Sequence, residues 1–374
     1  MIEAGEAVSK AARRVVPVFS GERLMALREL HGMSQAAVAE AAGITPSALS
    51  QAERGNTTLK PPNIAKVARL LGVMPDAFAE RPEPDFAMEP QFRHLRRTPT
   101  RERRRSERFI RAAALVAANL RSEVRFPEVF EFTHDVDPDK PVADVADQIE
   151  TAAALTRDHL GIARDEPIGT DLLHRLEAGG IIVVRDPLTD DDIDAYSAVV
   201  DRLPVIVLDG GERSVWDRDD FNLAHETGHL VMHRGITHRP GTKSVESQAH
   251  RFAGALLGPA DALRHQLPTD LDWGRYLELK RRWGLSMFAL VRRAKDLEVI
   301  DDATYVRAMK QRSAHGWRFV EPGANDHPLP APRLLSLAAS LAEITTADLA
   351  KRTHLPEEVV ERILGRQQPS LIDY

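Results

Sequence analysis

The stretch that most constrains this chain is residues 221–233, which carries two histidines four positions apart. Its apolar residues recur with a helical period after Asp217, a predicted N-cap, so we expect a helix packed into a core. His225 and His229 then project from one face and can hold one metal ion. Glu226 follows the first histidine, where its carboxylate can take a proton from a water molecule on the metal. The alternative is an amphipathic helix with two surface histidines.

A third ligand would separate these alternatives, and residues 245–259 offer one. Apolar residues in this stretch also follow a helical period and predict a second core-facing helix. Glu246 lies in its first turn, a place where an ordinary acid is favoured by the helix dipole. Two antiparallel helices joined by a short turn can also bring Glu246 to His225 and His229. A zinc ion on these three ligands keeps a fourth position open for water, as hydrolysis requires.

The two predicted helices carry longer motifs than the ligands alone. The first reads H-E-x-G-H from His225, and the second reads E-x-Q-A-x-x-F-A-x-x-L-L-x-P from Glu246. Together they resemble the ImmA/IrrE metallopeptidase family. The resemblance implies a zinc cofactor and hydrolysis of a repressor protein. It also implies that His225, His229 and Glu246 are the metal ligands. Glu226 is then the general base.

Three further residues are tentative members of this site. His250 stands four residues after Glu246, where the family usually has asparagine. It is a hydrogen-bonding partner of a metal ligand, an extra metal donor or a packed neutral histidine, and we favour the first interpretation. Tyr196 and Arg218 lie near the motif in sequence, and we hypothesise that they polarise a substrate carbonyl.

Residues 20–80 consist of short helical blocks with sharp boundaries. Ser34 caps one predicted helix, Gly43 ends it, and Thr45 caps the next, residues 46–52. Ser-Gln at the start of the first helix and Leu-Ser-x-x-Glu-x-Gly at the end of the second predict a helix-turn-helix. The pattern resembles the XRE (Cro/repressor-like) family. That resemblance implies that the second helix enters the major groove of DNA.

The resemblance also predicts the residues that contact DNA: Gln35, Thr45, Ser47, Ala48, Gln51, Asn56 and Thr57. Ser47, Ala48 and Gln51 would face base edges, and Gln51 can pair with adenine. Gln35, Asn56 and Thr57 would reach phosphates. Arg28 and Glu53 match positions that commonly form an internal ion pair. The alternative is that the module makes only protein contacts, because its charge is close to balanced. If the module does bind DNA, useful affinity requires a dimer.

Composition limits the remaining choices. The chain has 374 residues and no cysteine, which excludes disulfides and thiolate metal sites and predicts a reducing, cytoplasmic location. No apolar run approaches the roughly 18 residues that a membrane span needs. The net charge of −6 argues against a nucleic-acid coat, yet arginines crowd between Arg93 and Arg111. This basic run either contacts phosphates or has an internal structural role.

These patterns predict a mainly α chain with a small β-sheet, of the α+β class. The expected domains are an N-terminal arm (1–18), an all-α helix-turn-helix domain (19–80), a linker with a basic helix (81–141), a zincin-like metallopeptidase domain (142–325) and a small helical C-terminal module (326–374). Glutamates on the last predicted helix of that module argue against DNA contact. We therefore expect the module to make protein contacts or to act as a lid.

Three functions fit these predictions. The first is a DNA-binding transcriptional regulator whose zinc metallopeptidase domain hydrolyses a peptide bond in a repressor, either itself or a partner, to switch gene expression. The second is a non-proteolytic transcription factor whose peptidase-like domain senses a metal or ligand, or dimerises. The third is a toxin–antitoxin-type regulator. The expected partners are a double-stranded DNA operator, a repressor protein or the chain itself as substrate, and a second copy in a homodimer, with no membrane.

Overall fold

The computed structural model describes residues 2–91, 99–129, 134–168, 171–189, 193–211, 215–234, 242–317, 320–323 and 329–365. In chain order its helices are α1 (Ile2–Val15), α2 (Gly21–Leu30), α3 (Gln35–Ala42), α4 (Pro46–Glu53), α5 (Pro61–Leu70), α6 (Thr100–Arg121), α7 (Ala146–His159), α8 (Leu172–Ala178), α9 (Trp216–Met232), α10 (Lys243–Leu257), α11 (Ala260–Leu263), α12 (Trp273–Trp283), α13 (Met287–Asp296), α14 (Asp302–Ala314), α15 (Leu334–Leu341), α16 (Thr346–Thr353) and α17 (Glu357–Ile363). The strands are β1 (Phe86–Gln91), β2 (Ile182–Asp186), β3 (Ala195–Val200) and β4 (Leu203–Asp209). The predicted α+β class is confirmed.

The chain folds into two compact units, and each unit is built from segments that are not contiguous in the sequence. The first unit contains residues 1–85, 97–126 and 335–374, and the second contains 86–96 and 127–334. These units cut across the predicted contiguous domains, because parts of the 81–141 segment belong to both and the C-terminal helices belong with the N-terminal ones. Contacts between distant segments define a compact unit, and local composition does not reveal them. In the part of the chain that the structure describes, no helix is both long and apolar enough to cross a membrane.

The first unit contains α1, within the predicted N-terminal arm, followed by the predicted helix-turn-helix. The side chain of Ser34 accepts from the Ala37 N–H and caps α3, which ends at Gly43 in the left-handed region with φ of 62°. Thr45 caps α4 in the same way. Apolar side chains from α1 to α5 form a single buried cluster, so these short helices are held by packing on one another.

The basic helix α6 is tied to the first unit by ion pairs. It begins at Thr100 and packs against α2. Arg104 and Arg108 both bind Glu29, at 3.3 and 3.1 Å, and Arg108 also binds Glu83 at 2.8 Å. Among the arginines that the structure describes, these favour the internal structural role over phosphate contact. The predicted basic residues Arg93, Arg96 and Arg97 lie outside the described residues.

The C-terminal helices belong to the same unit. Helices α16 and α17 pack on α6, and Arg352 binds Glu123 at 2.6 Å. The side chain of Arg362 lies over the Phe109 ring. The predicted protein-contact module therefore has an intramolecular partner within its own unit, up to Gly365.

The second unit is built around a four-stranded mixed sheet with strand order β1-β3-β4-β2. Strand β3 pairs antiparallel with β1 and β4, and β2 pairs parallel with β4. Strand β1 corrects the prediction that this proline-rich segment is only a linker. Pro90 cannot donate a ladder hydrogen bond, and the register shifts between Met88 and Gln91, which an edge strand tolerates.

One face of this sheet is covered by helices. Alternate residues of β3 (Ala195 and Val199) join a large apolar cluster with side chains of α7 to α10, α12 and α13. Helix α9 packs on β3 and β4 on one side and on α10 on the other. Helix α9 is therefore a central element of the unit, which explains why every residue from Asn222 to Met232 is buried.

Candidate metal centre and helix-turn-helix surface

Helix α9 begins one residue before the predicted N-cap. Val215 occupies the cap position and Trp216 is the first helical residue, so the prediction that Asp217 caps the helix is wrong. The Asp217 carboxylate instead accepts a hydrogen bond from the buried Lys280 amine at 2.8 Å. This ion pair connects the first turn of α9 to α12.

The candidate metal centre lies where α9 packs closely against α10. Thr242 caps α10, so Glu246 lies in its first turn. At the crossing, a Cβ atom on Gly228 would lie 2.9 Å from the Phe252 ring. Glycine at this position of the H-E-x-G-H motif therefore lets Phe252 pack directly on the backbone of α9. The close packing brings Glu246 within reach of the histidines.

Three predicted ligands meet at one point. The Nε2 atoms of His225 and His229 are 3.1 Å apart. Glu246 places Oε2 at 3.3 Å from the His225 Nε2 and Oε1 at 3.6 Å from the His229 Nε2. Ligand atoms on a tetrahedral Zn²⁺ are about 3.3 Å from one another, given bonds of about 2.0 Å. The three separations therefore fit the edges of one tetrahedral face.

The hydrogen bonding of Glu246 also fits a cation. Both of its carboxylate oxygens are buried, and neither has a hydrogen-bond partner among the described residues. A buried carboxylate without a hydrogen bond is costly unless a cation neutralises it. The donor set of two imidazoles and one carboxylate, with no thiolate, is one that zinc accepts in hydrolytic sites.

Glu226 lies beside this donor set, held by a buried serine. Its carboxylate and the ring nitrogens of His225 and His229 all lie within 4.8 Å of one another. The Ser197 hydroxyl of β3 donates to the Glu226 Oε2 at 2.6 Å, and only 3% of Glu226 is exposed. This bond fixes the direction of the carboxylate beside the donor set.

A second chain of contacts supports His229 from behind. The Nδ1 atoms of His229 and His233 are 3.0 Å apart, and the His233 Nε2 is 2.9 Å from the Gln248 Oε1. Burial holds the pKa of His229 well below its usual value, and the neighbouring His225 ring lowers it further. Burial also lowers the pKa of His233. Both rings are therefore neutral near pH 7, the state that a metal-binding imidazole requires.

The structure brings one of the tentative residues to the centre. His250 stacks edge-on against His225, with ring centroids 4.6 Å apart, and its Nδ1 lies 3.0 Å from the Glu246 carbonyl oxygen. A nitrogen of His250 lies within 4.8 Å of the ligand atoms of His225 and Glu246. This position is compatible with either polar role predicted for it.

The other two tentative residues are not brought to the ligands. Tyr196 is fully buried on β3 next to Ser197. Because neighbouring strand residues point to opposite faces, its ring lies on the sheet face away from Glu226. Arg218 is largely exposed on the first turn of α9 and pairs with Asp194 at 3.2 Å. It lines the approach to the site, so only Arg218 keeps a possible contact with substrate.

A cleft of 510 Å³ opens beside the donor set. Glu246 and His250 lie in its wall, together with aromatic rings from Phe221 and Phe288 and the Arg218 guanidinium. A concave site with apolar walls and a few convergent polar groups is the usual form of a ligand-binding pocket. The cleft is large enough for several side chains of a peptide.

The predicted DNA-contacting residues lie on or around α4. Ser47 is exposed, and Ala48 and Gln51 are half-buried beside it. The side chain of Gln51 accepts a hydrogen bond from the Asn56 amide at 2.7 Å. Thr57 is exposed in the following turn.

Thr45 and Gln35, two more of the predicted DNA contacts, also have intramolecular roles. The Thr45 side chain caps α4. The Gln35 Nε2 donates to the Glu53 carboxylate at 2.6 Å. Glu53 also pairs with Arg28 at 2.5 Å, which confirms the predicted internal ion pair.

Sequence reasoning missed three residues that support the site, Ser197, His233 and Gln248. His233 continues the four-residue spacing of His225 and His229, so the spacing alone could have found it. Gln248 is the glutamine of the E-x-Q-A motif. Nothing in the sequence marks Ser197, because its contact with Glu226 depends on how β3 packs against α9.

Comparison with known families agrees with both halves of this description. Residues 24–78 match the helix-turn-helix family profile, which indicates a DNA-binding regulator. Residues 176–295 match the profile of the IrrE N-terminal-like domain, a metallopeptidase family. The search of curated proteins found no match. One polypeptide therefore contains a segment similar to XRE-type helix-turn-helix domains and a segment similar to ImmA/IrrE-like peptidase domains.

Proposed function

We propose that this protein is a DNA-binding transcriptional regulator whose second unit is a zinc metallopeptidase. It hydrolyses a peptide bond in a repressor, either its own chain or a partner, and so switches gene expression. The observation that carries the proposal is the meeting of His225, His229 and Glu246 at tetrahedral spacing, with Glu226 beside them. Histidines that serve only to pack the core do not need a buried carboxylate without hydrogen bonds beside them, so the arrangement points to a functional site.

The residues have distinct roles in this proposal. His225, His229 and Glu246 would hold Zn²⁺. When bound, Zn²⁺ supplies Lewis-acid chemistry, which polarises a carbonyl group and lowers the pKa of water. Glu226 accepts the proton of the attacking water and delivers it to the leaving amine. Ser197 keeps the Glu226 carboxylate turned toward the site by its 2.6 Å hydrogen bond.

The cleft gives the substrate a place beside these groups. Its rings Phe221 and Phe288 offer apolar contact to a peptide side chain, and Arg218 offers a cation at the approach. A peptide lying there would have its scissile bond beside Glu246. An exposed segment of a repressor is a substrate of suitable chemistry, because an extended chain fits a cleft better than a folded domain does.

The first unit supplies the regulatory half of the proposal. Helix α4 presents Ser47 and Gln51 at its surface, the positions that would face base edges in a major groove. Asn56 holds Gln51 in place and would be near the phosphate backbone. Because the arginines Arg104 and Arg108 are engaged with internal acids, affinity for an operator is expected to require a homodimer.

The decisive experiment compares the wild-type chain with Glu226→Gln, with bound zinc quantified in both. The intact chain, a candidate partner repressor and operator binding are followed over time. The proposal predicts that both proteins hold zinc and that only the wild type cuts one of the two chains. If neither chain is cut although zinc is bound, the non-proteolytic sensor replaces the peptidase. If a cut appears in both proteins, Glu226 is not the general base.

A further inference from the structure

The side chain of Gln248 has only one orientation that fits its neighbours. Its Nε2 lies 2.9 Å from the carbonyl oxygen of Asp137 and 2.9 Å from that of Lys140. Carbonyl oxygens only accept hydrogen bonds, so the amino group must face them. The amide oxygen of Gln248 is therefore turned toward α9, where it can only accept.

This orientation fixes the proton on His233. The Gln248 Oε1 lies 2.9 Å from the His233 Nε2, so that nitrogen must carry hydrogen and donate. In a neutral imidazole the other nitrogen then has a lone pair. His233 is 1% exposed, so water does not compete for either nitrogen. Its Nδ1 is consequently an acceptor aimed at His229.

The same logic reaches the metal ligand. The His233 Nδ1 is 3.0 Å from the His229 Nδ1, so the hydrogen between them belongs to His229. The Nε2 of His229 then has its lone pair, and this is the atom 3.1 Å from the His225 Nε2. We infer that Gln248 and His233 are positioning residues that hold His229 in the one tautomer able to bind a metal through Nε2.

This inference deepens the proposed function and rests on its metal site. It assigns the segment around Asp137 and Lys140 a role, because its two carbonyl groups set the direction of the whole chain of hydrogen bonds. A fixed tautomer removes the need to rearrange protons when the metal binds, and partners of this kind commonly change metal affinity by about 10- to 100-fold. This chain of hydrogen bonds from Gln248 through His233 to His229, here called the relay, would change the affinity for the metal, although Gln248 and His233 contact neither metal nor substrate.

The first test uses the wild-type chain without metal. Long-range ¹⁵N–¹H correlation spectra of histidine-labelled protein report which ring nitrogen carries the proton. We expect His229 to be protonated at Nδ1 and His233 at Nε2. A spectrum with His229 protonated at Nε2 overturns the relay, whether or not the protein binds zinc. This measurement needs no variant, so a folding defect cannot obscure it.

The second test measures zinc affinity by competition with a chelator in the full chain. His233→Phe and Gln248→Leu each interrupt the relay, and we expect the Kd for zinc to rise by about 10- to 100-fold. His233→Asn returns an amide acceptor near the position of Nδ1 and should recover most of the affinity. Gln266→Leu is the matched control, because Gln266 hydrogen-bonds to Trp283 and Ala262 away from the site.

The outcomes separate the two proposals. If the wild type binds zinc and both relay variants keep its Kd within about twofold, the relay is wrong and the metal site stands. Equal weakening in His233→Phe and His233→Asn, with both folded by circular dichroism, also overturns it. If the wild type binds no zinc, the proposed metal site fails, and the tautomer spectrum still decides whether the relay exists.

Discussion

Each unit of this protein contains a buried cluster of polar side chains, and the two clusters are completed in opposite ways. In the helix-turn-helix, Glu53 receives hydrogen bonds from Arg28 at 2.5 and 2.9 Å and from Gln35 at 2.6 Å. In the second unit, the buried carboxylate oxygens of Glu246 accept none from the described residues. In the first cluster other side chains of the protein supply the hydrogen bonds of the buried carboxylate, and in the second the arrangement suits a bound cation.

The difference separates a structural role from a functional one. A fully hydrogen-bonded buried ion pair holds its helices in one arrangement, and removing one member leaves an uncompensated charge. A buried carboxylate beside two imidazoles and without hydrogen bonds contributes nothing comparable to folding, so its cost is understandable only if a ligand offsets it.

The largest expected effect is a loss of stability on removing the cation from the cluster of Arg28, Gln35 and Glu53. Arg28→Ala leaves the Glu53 carboxylate buried without its cation, which should lower the local stability of the first unit by about 3–5 kcal/mol. Native-state hydrogen exchange of amides in α2 to α4 measures this. Arg352→Ala is the control in the same unit, since its exposed pair with Glu123 should be worth less than about 1 kcal/mol. If Arg28→Ala and Arg352→Ala lower the stability equally, the buried pair of Arg28 and Glu53 has no special structural role.

The corresponding change in the second unit should separate stability from metal binding. Glu246→Leu removes a carboxylate without hydrogen bonds, so the metal-free unit should unfold at the same or a higher urea concentration. Its zinc affinity should fall by more than about 100-fold, since a ligand is lost and not merely a supporting group. All four tryptophans lie in this unit, at positions 216, 273, 283 and 317, so their fluorescence follows its unfolding. Marked destabilisation of the metal-free variant would make Glu246 a structural residue.

Ser197 offers a smaller and more selective test. Ser197→Ala removes the hydrogen bond to Glu226, and a bond to a charged group is worth about 1.5–3 kcal/mol. Hydrolysis in the cleavage assay should therefore slow by at least about 10-fold, with zinc affinity unchanged. Ser197→Thr keeps the hydroxyl group and should retain most of the rate. A full rate in the alanine variant would show that Glu226 needs no support from β3.

The smallest predicted effect concerns pH. The pKa values of His229 and His233 are lowered by burial, so below about pH 6.5 the unfolded chain takes up protons that the folded chain does not. The contribution of these two histidines to the stability of the metal-free second unit should thus fall with falling pH, by at most about 1.4 kcal/mol per pH unit for each histidine. Urea unfolding between pH 7.5 and 5.5 measures the slope. His229→Gln should reduce it, and identical slopes would contradict the assignment.

Local features of the fold could be predicted from the sequence because their causes are local. Ser34 and Thr45 cap their helices through their own side chains, and Gly43 takes the left-handed conformation that ends α3. The four-residue spacing of His225 and His229 places both rings on one face of any helix. The pairing of Arg28 with Glu53 followed from family resemblance.

Features that depend on packing between distant segments could not be predicted. Strand β1 lies in a proline-rich stretch, and only its pairing with β3 makes it a strand. The arginines of α6 pair with Glu29 and Glu83, which lie far from them in the sequence. Ser197 reaches Glu226 only because β3 lies under α9.

The division of the chain into units has a consequence for any cleavage event. The polypeptide passes between the units at 85–86, 96–97, 126–127 and 334–335. A single hydrolysed bond near residue 85 would therefore not set the DNA-binding helices free, because α6 stays packed against α2 although it belongs to the other fragment. The nicked protein would remain a noncovalent complex. The lifetime of that complex, and not the cutting itself, would then determine how long an operator stays occupied.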